Sequence, residues 1–243
     1  MINFFRKIRK QLADDNKPIK YFRYAIGEIV LVVIGILIAL SINNWNENSK
    51  IRQRERILLN EIHQEFLNNK EQLKSVVSYH NKALNACEKI IAEFPINLNT
   101  VNIDSLSKHL FNTQWRYTFN PSQGSINSLI NTSSFETITN DRLRRLVVSW
   151  QDVVNDYTED ELIANHIEIN FFEPYLSKHF PFNCDLRNPK TNLEAITSLE
   201  FEHLIERRRE GLNDVLNNSD NELKTIQKTI NEIIEMTDSK YLK

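Results

Sequence analysis

The chain has 243 residues and a formal charge of −2, with 30 Lys and Arg against 32 Asp and Glu, four Gly and two Cys. Beyond Asn46 there are 23 basic and 29 acidic residues, which gives no electrostatic footprint for nucleic acid. Two cysteines are too few for a disulfide scaffold, and four glycines leave no phosphate-cradling loop. Mean hydropathy is −0.44, so apart from one stretch the chain reads as polar.

In chain order, "MINFFRKIRKQLA" places Ile2, Phe5, Ile8 and Leu12 on one helical face and Arg6, Lys7, Arg9 and Lys10 elsewhere. Such a segment is suited to the anionic inner leaflet of a membrane, and it also serves as a plain basic topology signal. Residues 1–23 are therefore read as a cytoplasmic basic amphipathic segment. The stretch "YAIGEIVLVVIGILIALSINNW" follows, with no charge between Glu28 and Glu47. Its apolar length matches the ~20 residues that cross a ~30 Å hydrocarbon core, so residues 24–44 are read as a transmembrane helix. Ala39-Leu40-Ser41 resembles a signal-peptide cleavage site. The long segment ahead of the apolar run, and the carboxylate that abuts it, favour an uncleaved anchor instead. More Lys and Arg precede the span than follow it, which places the N-terminus in the cytoplasm. Tyr21 and Tyr24 on one side and Trp45 on the other are the candidate interface anchors.

From Asn46 to Phe94 there is no Gly or Pro, and Ile62, Phe66, Leu73, Val76, His80, Leu84, Cys87 and Ile91 recur at steps of three, four or seven. This predicts one long helix continuous with the span, ended by Pro95 to Thr100. A short helix is predicted over Asp104 to Phe111 and another after residues 120–125. A third long helix is predicted from Asn140 to about Pro174. Residues 181–192 read as a loop. Thr197 to Glu200 fits a capping box, and a last helix runs to about Lys240 with only Gly211 inside it. The fold class that follows is all-α: one N-terminal transmembrane helix continuing into an elongated antiparallel bundle of about three long helices with short capping helices. Residues 45–243 form the extracytoplasmic domain, and 101–139 a capping or partner-binding subregion.

Several residues invite a chemical reading. Glu28 is either a first-turn carboxylate level with the headgroups or an intramembrane acid with a role. Its helical neighbours Tyr24, Ala25, Leu31 and Val32 offer no charged partner, which leaves room for one on another subunit. Gly27, Gly35 and Ala39 lie on one face at multiples of four, and Asn43 continues that face. Small residues let helices approach closely in lipid, so this face is the candidate association surface. Cys87 and Cys184 allow one bridge in an oxidising compartment, and two unrelated free thiols fit equally well.

No Gly-x-Ser-x-Gly elbow is present, and the six His are scattered. Glu200 and His203 form a single Glu-x-x-His half-site where di-iron bundles need two. His80 and His166 read as satisfied or boundary histidines. Trp115, Tyr117, Phe119 and Trp150 read as core, and Arg207 to Arg209 as a solvated helix face. Residues 113–140 are rich in Ser, Thr and Asn. They read as a cap closing the bundle, or as a loop surface where a ligand or partner binds. No catalytic residue, cofactor or metal is expected.

The stretch "FFRKIRKQL … YAIGEIVLVVIGILIALSINNWNE" resembles the N-terminal signature of an uncharacterised family of bacterial single-pass membrane proteins. That resemblance implies a Gram-negative inner membrane and brings no activity with it. The expected function is a non-enzymatic membrane-anchored scaffold or accessory protein of the cell envelope, with anionic lipid and either further copies of itself or another membrane protein as partners. The alternative is a periplasmic ligand-sensing bundle that signals through a separate membrane partner.

Overall fold

The computed structural model of the protein describes residues 18–131, 134–217 and 221–238, and among these there is helix and no strand. The amphipathic stretch over residues 1–13 lies outside them. The chain divides into two units, Met1–Glu55 and Arg56–Lys243. Helix α1 (Pro18–Ile91) contributes to both. In the first unit it is exposed on every side: from 29 to 54 no residue is even half-buried.

In the second unit α1 has one inward stripe. Leu59, Ile62, Phe66, Leu73, Val76, Ala83, Cys87 and Ile90 are buried, at the three- and four-residue steps that keep side chains on one face of a 3.6-residue turn. A backbone-bonded turn over Ala92 to Phe94 closes the helix before Pro95. Asn102 then caps α2 (Ile103–Thr113), its Oδ1 accepting from the Ser105 N–H at 3.0 Å.

Residues 115–123 are neither helix nor strand, and we refer to them as the strap. Helix α3 (Gly124–Asn131) follows, with Glu65 Oε2 of α1 accepting from the Ser125 N–H at 2.8 Å. This places a carboxylate at a helix N-terminus, where the free amides and the dipole both favour it. Tyr117, Ser122 and Ser125 thus meet His80, Asn69 and Glu65 in turn, so this part of the chain runs back along α1.

Asn140 caps α4 (Asp141–Ile167) by accepting from the amides of Arg142 and Leu143. The sequence places the end of this helix near Pro174, but the chain passes it. A π-turn over Glu168–Phe172, with the Glu173 N–H donating to the Glu168 carbonyl, leads into α5 (Glu173–His179). Pro174 lies in the first turn of α5, directly after the π-turn.

Thr197 does not cap the next helix. It donates to the Glu194 carbonyl within the 3-10 turn Leu193–Thr197. Ser198 takes the capping role for α6 (Leu199–Asn217), its hydroxyl accepting from the Phe201 N–H at 3.2 Å. The predicted last helix is two helices, α6 and α7 (Glu222–Thr237). Asn221 has φ 58° ahead of α7, a left-handed conformation that Asn tolerates and a continuing helix excludes. Gly211, expected as the interruption, is buried inside α6, and a Cβ there would meet Cα and Cβ of Ala164 at 3.4 Å. The glycine permits a close crossing of α6 on α4.

Two apolar clusters fill the second unit. One gathers Phe66, Trp150, Tyr157, Val147 and Ile230, with the Phe66 and Trp150 rings 4.8 Å apart. The other gathers Ile90, Leu110, Phe172, Ile196 and Phe201. His63 of α1 ties down the end of α7, with Nδ1 3.1 Å from the Ile234 carbonyl and 3.0 Å from Thr237 Oγ1.

Candidate functional site

The first candidate is the exposed helix of the first unit. Its unbroken α-helical course keeps Gly27, Gly35, Ala39 and Asn43 in one row at multiples of four residues. A Cβ placed on Gly27 or Gly35 would meet nothing within 4 Å. Trp45 is 69 % exposed, while the side chains of Tyr21 and Tyr24 lie outside the described residues. Glu28 is half-buried and engaged in an interaction, so its apolar neighbours in sequence do not leave it alone, and the argument for a partner on another subunit loses its basis. Ser41 donates to the Leu37 carbonyl at 2.8 Å, which removes its hydroxyl from the apolar surface.

The second candidate is the polar interior of the second unit, which the strap organises. An irregular segment among helices has backbone groups with no ladder to join, and buried backbone groups must be paired. Side chains from three helices supply the partners. On α1, Asn69 donates to the Ser122 carbonyl at 2.9 Å and accepts from its N–H at 2.8 Å. Also on α1, His80 Nε2 lies 2.8 Å from the Tyr117 carbonyl. Glu161 of α4 accepts from the Phe119 N–H at 2.7 Å.

From α6, Arg208 donates through Nε to the Thr113 carbonyl at 3.2 Å and through Nη2 to the Trp115 carbonyl at 2.8 Å. Arg208 is 2 % exposed. The solvated face expected of Arg207 to Arg209 therefore holds only for its neighbours, which pair with Glu210 and Glu206. Burial lowers the pKa of Arg208, against the raising influence of Cys87 and Glu168. A buried guanidinium is tolerable here because it satisfies carbonyls at the end of α2. Arg116 of the strap bridges Glu168 in the π-turn, at 2.6 Å, and Glu173 of α5.

Between the strap's anchors, His80 Nδ1 and Glu161 Oε1 face each other at 3.8 Å. Neither atom has a hydrogen-bond partner among the described residues, and the hydroxyl of Tyr157, one turn before Glu161, has none either. Burial pushes the Glu161 carboxyl up to about 7, held back by the Phe119 N–H and by nearby Tyr157. Burial also lowers the pKa of His80, with the Tyr117 carbonyl acting in the opposite direction and Arg208 in the same one.

Cys87 and Cys184 are free thiols, both buried in the second cluster. Burial pushes each up to about 12, and Gln114 Nε2 donates to Cys184 Sγ at 3.1 Å. The bridge that the sequence allowed is not formed. Trp150 and Phe119 are core as expected. Trp115 is only half-buried and Tyr117 is 39 % exposed. These two stack with Tyr79 on the surface, the Tyr79 and Tyr117 rings 4.0 Å apart, and Lys82 Nζ lies 4.5 Å over Trp115. His203 and His166 are exposed. Among the described residues no group of three or more His, Cys, Asp and Glu side chains is placed to hold a metal ion. A surface groove of about 1060 Å³ between the start of α4 and α7 has charges of both signs, with Arg142 and Glu232 paired across it at 3.0 Å.

The sequence model of one family matches residues 28–173, more than half of the chain. The chain belongs to the DUF6090 family, a family of unknown function. The DUF6090 match takes in the exposed apolar helix from Glu28, the whole strap, and Asn69, His80 and Glu161, while Arg208 lies beyond it. No curated protein and no solved structure is significantly similar to the chain.

Proposed function

We propose that this DUF6090 protein is a non-enzymatic, membrane-anchored helical scaffold or accessory protein of the bacterial cell envelope. Residues 24–44 cross the inner membrane, the N-terminus is cytoplasmic, and residues 45–243 are periplasmic. The observation that carries the reading is the α1 segment from 29 to 40. It is apolar, helical, and covered by nothing among the described residues. Ten of its twelve residues are Ile, Val or Leu. At about 0.3–0.6 kcal/mol each, these favour insertion by roughly 3–6 kcal/mol, at least comparable with the ~2.5–3.5 kcal/mol by which a carboxylate at the bilayer centre would oppose it. Glu28 lies at the edge, where the cost is smaller.

In this reading the row Gly27, Gly35, Ala39 and Asn43 brings copies together, or docks onto another span, by close backbone approach. The test is the mass of tagged full-length protein purified from native membranes in mild detergent. A homo-oligomer, or a second protein at fixed ratio, supports the reading; a lone monomer overturns the association. A Cβ at Gly35 meets nothing within 4 Å among the described residues, so for Gly35→Leu a shift toward smaller species, by about tenfold in dissociation constant, reports the interface.

A second reading, a ligand-sensing bundle that signals through a membrane partner, draws on the strap and its buried polar anchors. A sensor shows ligand-dependent thermal stabilisation of residues 47–243, and a scaffold does not.

A further inference from the structure

His80 and Glu161 reach the strap from different helices, and each uses one polar atom there. His80 Nε2 faces the Tyr117 carbonyl at 2.8 Å, and Glu161 Oε2 accepts from the Phe119 N–H at 2.7 Å. A carbonyl is only an acceptor, so Nε2 carries the proton and a neutral His80 presents a lone pair at Nδ1. That lone pair faces Glu161 Oε1 at 3.8 Å, with the two side chains 4 % and 0 % exposed. If Glu161 were ionised, two acceptors would confront each other in a dry interior, which is costly. One proton between them removes the conflict.

We propose that His80 and Glu161 form a proton-binding site in which a single proton, carried by Glu161 and offered to His80 Nδ1, fastens residues 117–119 of the strap to α1 and α4. The opposite directions in which burial moves the two groups, Glu161 up to about 7 and His80 down, place the proton on the carboxyl. The surrounding charges leave it there. On α4, Tyr157 is pushed up by burial, then by Glu161 itself and by Asp160, and stays neutral; its hydroxyl in turn draws the Glu161 carboxyl down, against the larger upward push of burial. On α6, Arg208 disfavours an imidazolium. On the strap, Arg116 is neutralised by Glu168 and Glu173. On α1, Cys87 is a neutral thiol.

The sign of the pH dependence follows from counting protons in the folded and unfolded pair. Ordinary values are 4.5 for Glu and 6.5 for His. Below 4.5 the unfolded pair holds two protons and the folded pair one, so stability falls as the solution becomes more acidic. Between 4.5 and 6.5 both hold one, and stability is flat. Above 6.5 the unfolded pair holds none while the folded pair keeps its proton until about 7. Stability contributed by the raised Glu161 is thus lost as pH rises through that value, leaving a buried carboxylate against a lone pair.

The test uses the full chain in detergent. Amide exchange of residues 115–123, corrected for the intrinsic rate, is followed from pH 5 to 8.5. The expected result is strap protection that is constant up to about pH 6.5, falls roughly threefold as pH rises from there through about 7, and is flat beyond. Glu161→Gln, whose amide donates permanently to Nδ1 while its carbonyl oxygen still accepts from Phe119, is expected to remove the step and keep the protection at pH 8. Infrared spectroscopy of the wild type is expected to show a buried carboxylic-acid carbonyl band at pH 6 that vanishes by pH 8.5 and is absent from Glu161→Gln. Flat wild-type protection, the same step in Glu161→Gln, or no acid band at pH 6 overturns the proposal. None of these readouts depends on membrane anchoring or self-association.

Discussion

Asn69 holds Ser122 by both backbone groups at once, donating to its carbonyl at 2.9 Å and accepting from its N–H at 2.8 Å. One side-chain amide thus imitates the edge of a neighbouring strand. Asn69 itself is 2 % exposed, while Ser122 lies at the surface. Asn69→Ala is expected to remove both hydrogen bonds to Ser122 and to cost about 1–3 kcal/mol. Asn69→Asp, which keeps the acceptor and turns a carboxylate oxygen toward the carbonyl, is expected to cost at least as much. Denaturant unfolding of the full chain, followed by tryptophan fluorescence, measures both.

The three consecutive arginines of α6 are expected to separate sharply. Arg208→Lys cannot reach the carbonyls of Thr113 and Trp115 with the same fork, and its loss is expected to be about 2–3 kcal/mol. Arg207→Ala is expected to stay within about 0.5 kcal/mol, because its exposed ion pair with Glu210 contributes little. Equal effects of the two changes in the same unfolding measurement would contradict the role given to Arg208.

At the crossing of α4 and α6, Gly211→Ala and Gly211→Leu are expected to act in opposite directions. A Cβ meets Ala164 at 3.4 Å, which is contact without overlap, while Ala favours a helix over Gly by about 1 kcal/mol. Gly211→Ala is therefore expected to be neutral or stabilising. Leu adds volume that a packed crossing cannot admit and is expected to destabilise by about 1–3 kcal/mol. Thermal unfolding midpoints of the two variants give the signs directly.

Neither cysteine is expected to react in the folded protein. Both thiols are buried and pushed up to about 12, so at pH 8 almost no thiolate is available. A chromogenic disulfide reagent is expected to titrate two thiols after denaturation and almost none before. Early labelling of one cysteine would show that its cluster opens locally.

Much of this architecture was legible in the residues themselves. The Gly- and Pro-free run after Asn46 and its apolar steps mark α1, Asn140 marks the start of α4, and Pro95 follows the end of α1. The strap was visible only as a polar, irregular stretch. Its course depends on partners such as Asn69 and Glu161, distant in sequence, whose polarity reads as surface until the carbonyls and amides they serve are in place. Arg208 was hidden for the same reason, since a charge run normally marks a solvated face. The break before α7 had a local signal in Asn217 and Asn221, which tolerate the backbone that ends a helix, but the apolar periodicity continues across it. The family match adds no residue role, and the polar pair His80 and Glu161 comes from geometry alone.

The π-turn at Glu168 has a bearing on chain length. Inward positions along α4 alternate by three and four up to Glu168, and an unbroken α-helix would turn residue 171 inward next. Instead Phe171 is 56 % exposed and Phe172 is fully enclosed, so the turn absorbs one surplus residue. Removing Asn170 would give three-residue spacing between Glu168 and Phe172, and both, already interior, would stay there. Relatives that differ by a single residue at this point can therefore share one core, and an alignment gap placed between 168 and 172 carries no structural penalty.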